Sequence, residues 1–451
     1  MVDLSRRLSK PFSAYRRAVV PEIEQELALV GPRTPGGEYL RRFWHPVVHG
    51  DQLDDLPVAI RILGEDLIVF RDKSGAVGLL ERHCGHRGTS LEFGKIEDHG
   101  IRCCYHGWLF DVDGRVLEAP AEPDDNPYAG KLYQGAYPVH EFNGLVFAYM
   151  GPPAAQPPFP MFDLYDQPGI ALGHGEADMR GNTKPCNWLQ IMDNVVDQVH
   201  EPFLHARHSG IQFEDKNGRP IAEMLDLGEP DWFETPTGIL CHEARRIDDA
   251  VWVRSMEYIC PNIALVCDSP EFPATFPDSE GELSSLPLLI RWRVPVDDIH
   301  TTEFAFIFYP HDGANLYVSD PIPGTRSNYG DRPYEERQRF PGDYDAQVSQ
   351  RAIAVHACEH LASTDKGVAM MRRMVRQGIE TAGSGGDPKG VVRDQAIDVP
   401  THANETVRRV PYAGSDAAER ELLHRVSREV GERAFATPPT IIKRQRALAA
   451  E

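Results

Sequence analysis

Cys84-Gly-His86-Arg-Gly88, then after His86 sixteen residues and Cys103-Cys104-Tyr-His106-Gly107, is the stretch that decides how this chain is read. Its two cysteines and two histidines fall into a C-x-H pair and a C-x-x-H pair. Such mixed pairs suit a [2Fe-2S] centre in which two thiolates hold one iron and two imidazoles the other. A neutral imidazole in place of an anionic thiolate favours the reduced cluster and raises its potential. Gly85, Gly88 and Gly107 flank the ligands. Glycine lets the backbone turn tightly and approach a ligand closely, so amide N–H groups can point at the cluster sulfurs. Zinc is the alternative, since Cys2His2 is also a zinc set. Zinc-finger spacing, however, pairs Cys with Cys and His with His, whereas each pair here is mixed. With Cys103 taken as the ligand by spacing, Cys104 is expected to be a packed thiol.

Outward from this stretch, residues 41–151 read as short strands separated by turn residues: strands over 58–63, 66–70 and 145–149, and a turn at 111–115. This predicts a small all-β domain carrying two metal loops. Residues 1–40 are expected to form an N-terminal helical segment that packs on the second domain, with a helix over 19–30 stopped near Gly31-Pro32. The proline-rich run 151–160 is a stiff boundary. Residues 152–451 read as a larger α+β domain, an antiparallel sheet flanked by helices. Helices are expected over 188–199, 346–376 and 416–433, strands over 251–258 and 288–294, and a loop at 384–388.

A second signature lies in Asn187-Trp-Leu-Gln190-Ile-Met-Asp193-Asn194-Val-Val-Asp197-Gln-Val-His200-Glu-Pro202-Phe-Leu-His205, which contains D-x-x-H-x4-H. Asp197 and His200, three apart, should share a helix face. Pro202 should kink or end that helix and turn His205 towards His200. Two imidazoles and one distant carboxylate make a facial triad for non-haem Fe(II), with positions left open for O2 and substrate. Histidines at this spacing also occur as ordinary packed or surface residues. Asp197 and the upstream cluster signature weigh against that reading.

Composition sets the outer limits. A chain of 451 residues with 41% hydrophobic residues has room for two or three domains and ample core. A net charge of −21 argues against nucleic acid or an anionic membrane surface as partner. No apolar run approaches the ~20 residues of a membrane span. Residues 1–17 are basic but lack the apolar stretch of a secretory signal. Eight cysteines are too few for a disulfide scaffold, so a reduced, cytoplasmic setting is expected.

On these motifs the chain resembles the catalytic (alpha) subunit of Rieske non-haem iron oxygenases of the aromatic-ring-hydroxylating type, over most of residues 25–380. Val30-Gly-Pro-Arg-Thr-Pro-Gly-Gly-Glu-Tyr-Leu-Arg-Arg-Phe-Trp-His-Pro46, Trp292-Arg-Val-Pro-Val-Asp-Asp298 and Glu359-His-Leu-Ala-Ser-Thr-Asp365 are similar to the phthalate dioxygenase-like branch. The resemblance implies one Rieske [2Fe-2S] cluster on Cys84, His86, Cys103 and His106, and one mononuclear Fe(II) on His200, His205 and a later Asp. Asp343 in Pro341-Gly-Asp343-Tyr-Asp345 fits that position best, with Asp345 the other choice and a helix-capping role the plain alternative for either. It further implies that Asp197 bridges subunits, accepting from a cluster histidine of the neighbouring chain and from His200. A head-to-tail homotrimer, or a hexamer of stacked trimers, would follow. Asp193 and Asn194 are candidates for positioning ligands or protons near the iron, beside ordinary helix roles.

The implied activity is that of a terminal oxygenase. It would take electrons from a reductase with flavin and iron–sulfur centres, or from a ferredoxin, and use O2 to hydroxylate an aromatic carboxylate. O-demethylation of a methoxy-aromatic acid is the alternative, and a purely electron-transferring Rieske protein a remote one. Arg254, Arg291 and Arg293 could pair with a substrate carboxylate, although structural ion pairs are the plainer reading of each.

Overall fold

The computed structural model describes residues 19–123, 131–167, 170–173, 183–212, 220–267, 282–310, 330–394 and 398–438. Residues 1–17, read above as a basic non-signal segment, lie outside them. The chain enters through two short helices, α1 (Gln25–Ala28) and α2 (Pro35–Leu40). Thr34 caps α2 by accepting from Gly37 N, and Pro35 sits in the first turn, where its missing N–H costs nothing. The helix expected over 19–30 is reduced to α1: Pro21 disfavours helix at the residue before it, and Leu29 is already extended.

Ten strands then build the first half. A three-stranded sheet pairs β1 (Trp44–His49) with β10 (Leu145–Tyr149) and β10 with β9 (Val139–Phe142). A second joins β2 (Val58–Ile62), β3 (Glu65–Arg71) and β4 (Val77–Glu81). A four-stranded sheet runs β5 (Lys95–Glu97), β6 (Gly100–Arg102), β7 (Leu109–Phe110), β8 (Val116–Glu118). Every pairing is antiparallel. Ile68, Phe70, Leu80, Leu91, Ile101, Trp108 and Phe110 form a small core directly beneath Cys84 and Cys103.

The second half is a nine-stranded antiparallel sheet. Its path runs β11 (Ile170–Gly173), β18 (His300–Pro310), β17 (Pro287–Asp297), β15 (Ile263–Cys267), β14 (Ala250–Ile259), β13 (Gly238–Ile247), β12 (Glu229–Glu234). β19 (Glu405–Arg409) pairs with β14 and carries β16 (Glu282–Ser285). Helices α3 (Trp188–Val195), α4 (Asp343–Val348), α5 (Lys366–Gly383) and α6 (Asp416–Ala436) belong to this half, with shorter helical turns between them. The two halves share one core: Phe147 of β10 meets Trp292 of β17 edge-on, ring centroids 5.5 Å apart, and Trp292 meets Phe306 at 5.4 Å.

Two further helix expectations are corrected. The helix over 188–199 stops at Val195, because an Asp197 carboxylate oxygen accepts from Val199 N and holds the chain in a local turn. Asp197 therefore precedes the next helical turn, His200–Pro202, rather than sharing a helix face with His200. The α-helical turn ends at Pro202, as expected, but the chain does not leave the helical path there. Pro202 lies in that first turn, where no N–H is needed, and the chain continues as a π-helix over Phe203–His208. The single helix expected over 346–376 is two, α4 and α5, with non-helical chain and short 3-10 turns between them.

Candidate metal centres

The two cluster loops are built alike. After β4, Gly88 N donates to Cys84 O at 2.8 Å and Cys84 N to Thr89 O at 2.9 Å. After β6, Gly107 N donates to Cys103 O at 3.1 Å and Cys103 N to Trp108 O at 2.8 Å. Gly88 and Gly107 both turn at φ +75°, which L side chains rarely adopt. Cys84 and Cys103 are buried at 3% exposure and face each other closely enough to hydrogen-bond. Burial pushes the Cys84 thiol up to about 11, while main-chain hydrogen bonds from His86 and Arg87 act the other way. The His86 and His106 rings sit 4.5 Å apart at 70°, and His86 stacks on Trp108 at 4.7 Å. His86 Nδ1 is buried without a hydrogen-bond partner. Paired thiols, paired imidazoles and an orphaned ring nitrogen fit a two-iron cluster with mixed ligands. Cys104 is exposed rather than packed, at the start of the turn that follows buried Cys103. Sequence reading missed Gln134, whose amide accepts from Gly85 N and donates to the Glu81 and His83 carbonyls, fastening the first loop to the segment before β9.

His200, His205 and Asp343 converge in the second half: one ligand atom from each lies within 4.8 Å of the others. Asp343 Oδ1 is 3.6 Å from His200 Nε2 and 3.2 Å from His205 Nε2. The opposite ring nitrogens are engaged. His200 Nδ1 donates to the main-chain carbonyl of Asp197, and His205 Nδ1 meets Gln212 Oε1 at 2.8 Å. Both Nε2 lone pairs are thereby turned to the carboxylate. Asp343 opens α4, where the N–H groups of a helix start favour an anion. Asn194 Nδ2 reaches Asp343 Oδ1 at 3.4 Å, and the Ser209 hydroxyl ties the end of the π-helix to the Pro341 carbonyl. Burial alone would raise the Asp343 carboxyl, but His205 and His200 outweigh it and hold it far below the usual carboxylate range. Burial likewise opposes charge on His205, yet Asp343 and then Gln212 draw it up to about 9. Two imidazoles and a carboxylate gathered around one point, with both Nδ1 atoms engaged so that the Nε2 atoms face inward, fit a divalent cation, which would take the place of the proton on His205.

Other expected residues fall elsewhere. Asp345 pairs with Arg332 at 2.7 Å and Arg337 at 2.5 Å and accepts from Gly342 N, so it caps α4. Asp193 is held by Arg372 of α5 at 2.6 Å, which also binds Glu359. That places it in the α3–α5 packing, apart from the triad. Asp197 is half-buried, and its main-chain carbonyl rather than its carboxylate receives His200. Arg254 is clamped by Glu201 at 2.6 Å and Glu405 at 3.2 Å. Arg293 and Arg291 face Glu303 at 3.2 Å and 3.8 Å. Gln212, seven residues after His205, and Lys184, 3.1 Å from Glu303, were not singled out from sequence.

Residues 43–138 match the Rieske [2Fe-2S] domain family. Over 445 residues the chain is 40% identical to the oxygenase subunit of tert-butanol monooxygenase / tert-amyl alcohol desaturase from Aquincola tertiaricarbonis, covering 93% of this chain and 90% of that one. The chain belongs to the Rieske non-haem iron oxygenases, as an alpha subunit. It is also 38% identical to phenoxybenzoate dioxygenase subunit alpha from Ectopseudomonas oleovorans, covering 85% and 91% of the two chains. In fold it is similar to NdmA of Pseudomonas putida CBB5 solved with caffeine, at a TM-score of 0.56, 19% identity and 80% and 99% coverage. This member of the family is thus a terminal oxygenase subunit with a Rieske [2Fe-2S] domain. Among the described residues no helix is long and apolar enough to cross a membrane.

Proposed function

We propose that this oxygenase subunit holds its cluster on Cys84, His86, Cys103 and His106 and a mononuclear Fe(II) on His200, His205 and Asp343, and hydroxylates an aromatic carboxylate with O2. The observation that carries this reading is the convergence of the two Nε2 atoms and the Asp343 oxygen in a chain that also contains a Rieske domain. When bound, the iron supplies O2 activation and the cluster supplies single electrons, delivered by a separate reductase or ferredoxin in the cytoplasm. The protein's own part is orientation. Asp197 O and Gln212 fix the imidazole tautomers, Asn194 and the α4 N-terminus hold Asp343, and the open side of the triad receives substrate.

Electrons reach the iron from a neighbouring chain in a head-to-tail trimer, through the Asp197 carboxylate and that chain's cluster histidines. Exposed apolar residues beside both centres support such a contact: Tyr105 and Tyr133 near the cluster, Phe203 and Leu225 near the triad. Residues 1–40, 41–151 and 152–451 serve as entry segment, electron-receiving domain and catalytic domain.

The 38% identity to a phenoxybenzoate dioxygenase supports an aromatic acid as substrate. Tertiary alcohols are the second reading. The relative at 40% identity is named for them, and Arg254, Arg291 and Arg293 each face a buried glutamate. An apolar cavity lined by Trp44, Phe159, Tyr165 and Trp292 contains none of the triad residues, so it is not the reaction chamber. The test is substrate-dependent O2 uptake with a surrogate reductase over aromatic acids, methoxy-aromatic acids and tertiary alcohols, with His205→Ala as control. Hydroxylated aromatic acid as the main product supports the first reading. Formaldehyde release or alcohol oxidation replaces it, and uptake that survives His205→Ala removes the triad.

A further inference from the structure

We infer that Gln190, which touches none of the proposed ligands, is the positioning residue that sets where Asp343 stands relative to the two histidines; this deepens, and rests on, the triad reading above. Gln190 is 1% exposed, and its whole amide is used. Nε2 donates to Gln347 O at 2.7 Å and Arg351 O at 3.0 Å, and Oε1 accepts from Ala354 N at 2.9 Å. All three partners are main-chain groups, one in the last turn of α4 and two in the segment that leaves it. Asp343 and Gln347 lie one turn apart on this six-residue helix, so holding its far end fixes its near end.

The held segment has a conformation that would not persist unaided. Arg351 sits at φ +87°, a region that a residue with a Cβ rarely occupies. Such backbone survives where its surroundings over-determine it, and it clusters at functional sites. Asn187 N adds a bond to Ala352 O at 2.8 Å, and Lys184, 1% exposed, reaches Gln347 Oε1 at 2.9 Å from the other side. Gln190 and Asn194 are four apart on α3 and share one face. Gln190 grips the end of α4 while Asn194 meets Asp343 itself. The helix that leads into His200 therefore also carries the template for the third ligand.

A buried amide that merely satisfies the core would support stability without affecting metal geometry. The test separates the two roles. The probe is Co(II), loaded by equilibrium dialysis into cluster-intact protein stripped of mononuclear metal. It is read by metal analysis and by high-spin Co(II) EPR in the oxidised, EPR-silent state of the cluster. Gln190→Leu keeps the volume and removes all three bonds. We expect Co(II) affinity to fall on the order of 10–100-fold, as for other groups that orient metal ligands. The EPR anisotropy should change and the reduced Rieske signal should not. If Gln190→Leu does not yield cluster-loaded protein, Gln190→Asn, with an arm one methylene shorter, carries the same expectation. Affinity and EPR unchanged from wild type, whatever the melting temperature, overturn the proposal. Wild-type Co(II) binding that Asp343→Ala leaves intact overturns the triad, and this proposal falls with it. The wild-type control therefore distinguishes that failure from a failure confined to Gln190.

Discussion

Arg254→Met is the substitution whose outcome depends most on which role that arginine plays. Arg254 Nε lies 2.6 Å from Glu201 and Nη1 3.2 Å from Glu405, with side-chain exposures of 7%, 4% and 1% for the three residues. Breaking a buried pair costs about 3–5 kcal/mol, because the partner is left charged and unsolvated. The two glutamates do not share that cost equally. Burial raises Glu405 to about 8 even with Arg254 present, so at neutral pH it already holds a proton for the most part and is not stranded as a charge. Burial also opposes the Glu201 charge, but Arg254 holds it down to about 2, so Glu201 is the group stranded by the change. One stranded carboxylate gives an expected loss of about 3–5 kcal/mol, not twice that. Adding Glu201→Gln should restore much of it, by ~2 kcal/mol or more, since no charge is then left unpaired. Denaturant unfolding of the cluster-loaded protein, followed by tryptophan fluorescence, measures both variants. A single variant within ~1 kcal/mol of wild type, with a raised KM for an aromatic acid, would refute the structural role and make Arg254 a substrate anchor.

Gln212→Leu removes the acceptor of His205 Nδ1 and should weaken Fe(II) binding at the triad on the order of 10–100-fold. Gln212→Glu should not weaken it, and equal affinities in the two variants would make the bond idle. His402, 3% exposed, bonds Glu257 Oε1 through Nδ1 at 2.9 Å. Burial lowers its pKa, but Glu257 prevails and raises it above the ordinary value. The stability this provides is fully present below an unfolded pKa of about 6.5 and is lost as pH rises through the folded value. His402→Gln should therefore flatten the decline of wild-type stability above pH ~6.5, and parallel pH curves would exclude the linkage.

What the sequence made legible follows from how local each feature is. The four residues proposed to hold the cluster and their glycines occupy one short stretch, so their spacing is enough to point to a Rieske domain, and the β-rich first half follows from its alternation and turns. His200 and His205 are equally local. Asp343 lies far along the chain, and resemblance rather than pattern brought it forward; only the fold shows that Asp345 is spent on Arg332 and Arg337. The helix misread over 188–199 has a local cause. Apolar periodicity persists across 188–199, but the Asp197 side chain competes for the backbone and breaks the helix before His200. Cys104 beside Cys103 could not be placed without the loop's direction, and it proves exposed. Gln190, Gln212 and Lys184 were silent because each acts on residues whose place depends on tertiary packing. Gln190 stands in the quoted motif, but its partners at 347–354 fall in a stretch whose sequence reads as an unbroken helix.

The central claim is that one chain carries two separate metal centres, the second on His200, His205 and Asp343. Iron counted against protein tests it most directly, in wild type and in Asp343→Ala, with the reduced Rieske EPR signal recorded for both. The account predicts about three irons per wild-type chain and about two in the variant, since a [2Fe-2S] cluster holds two, with the same Rieske signal in each. About two irons in both proteins, or a third iron that survives the loss of Asp343, would contradict it.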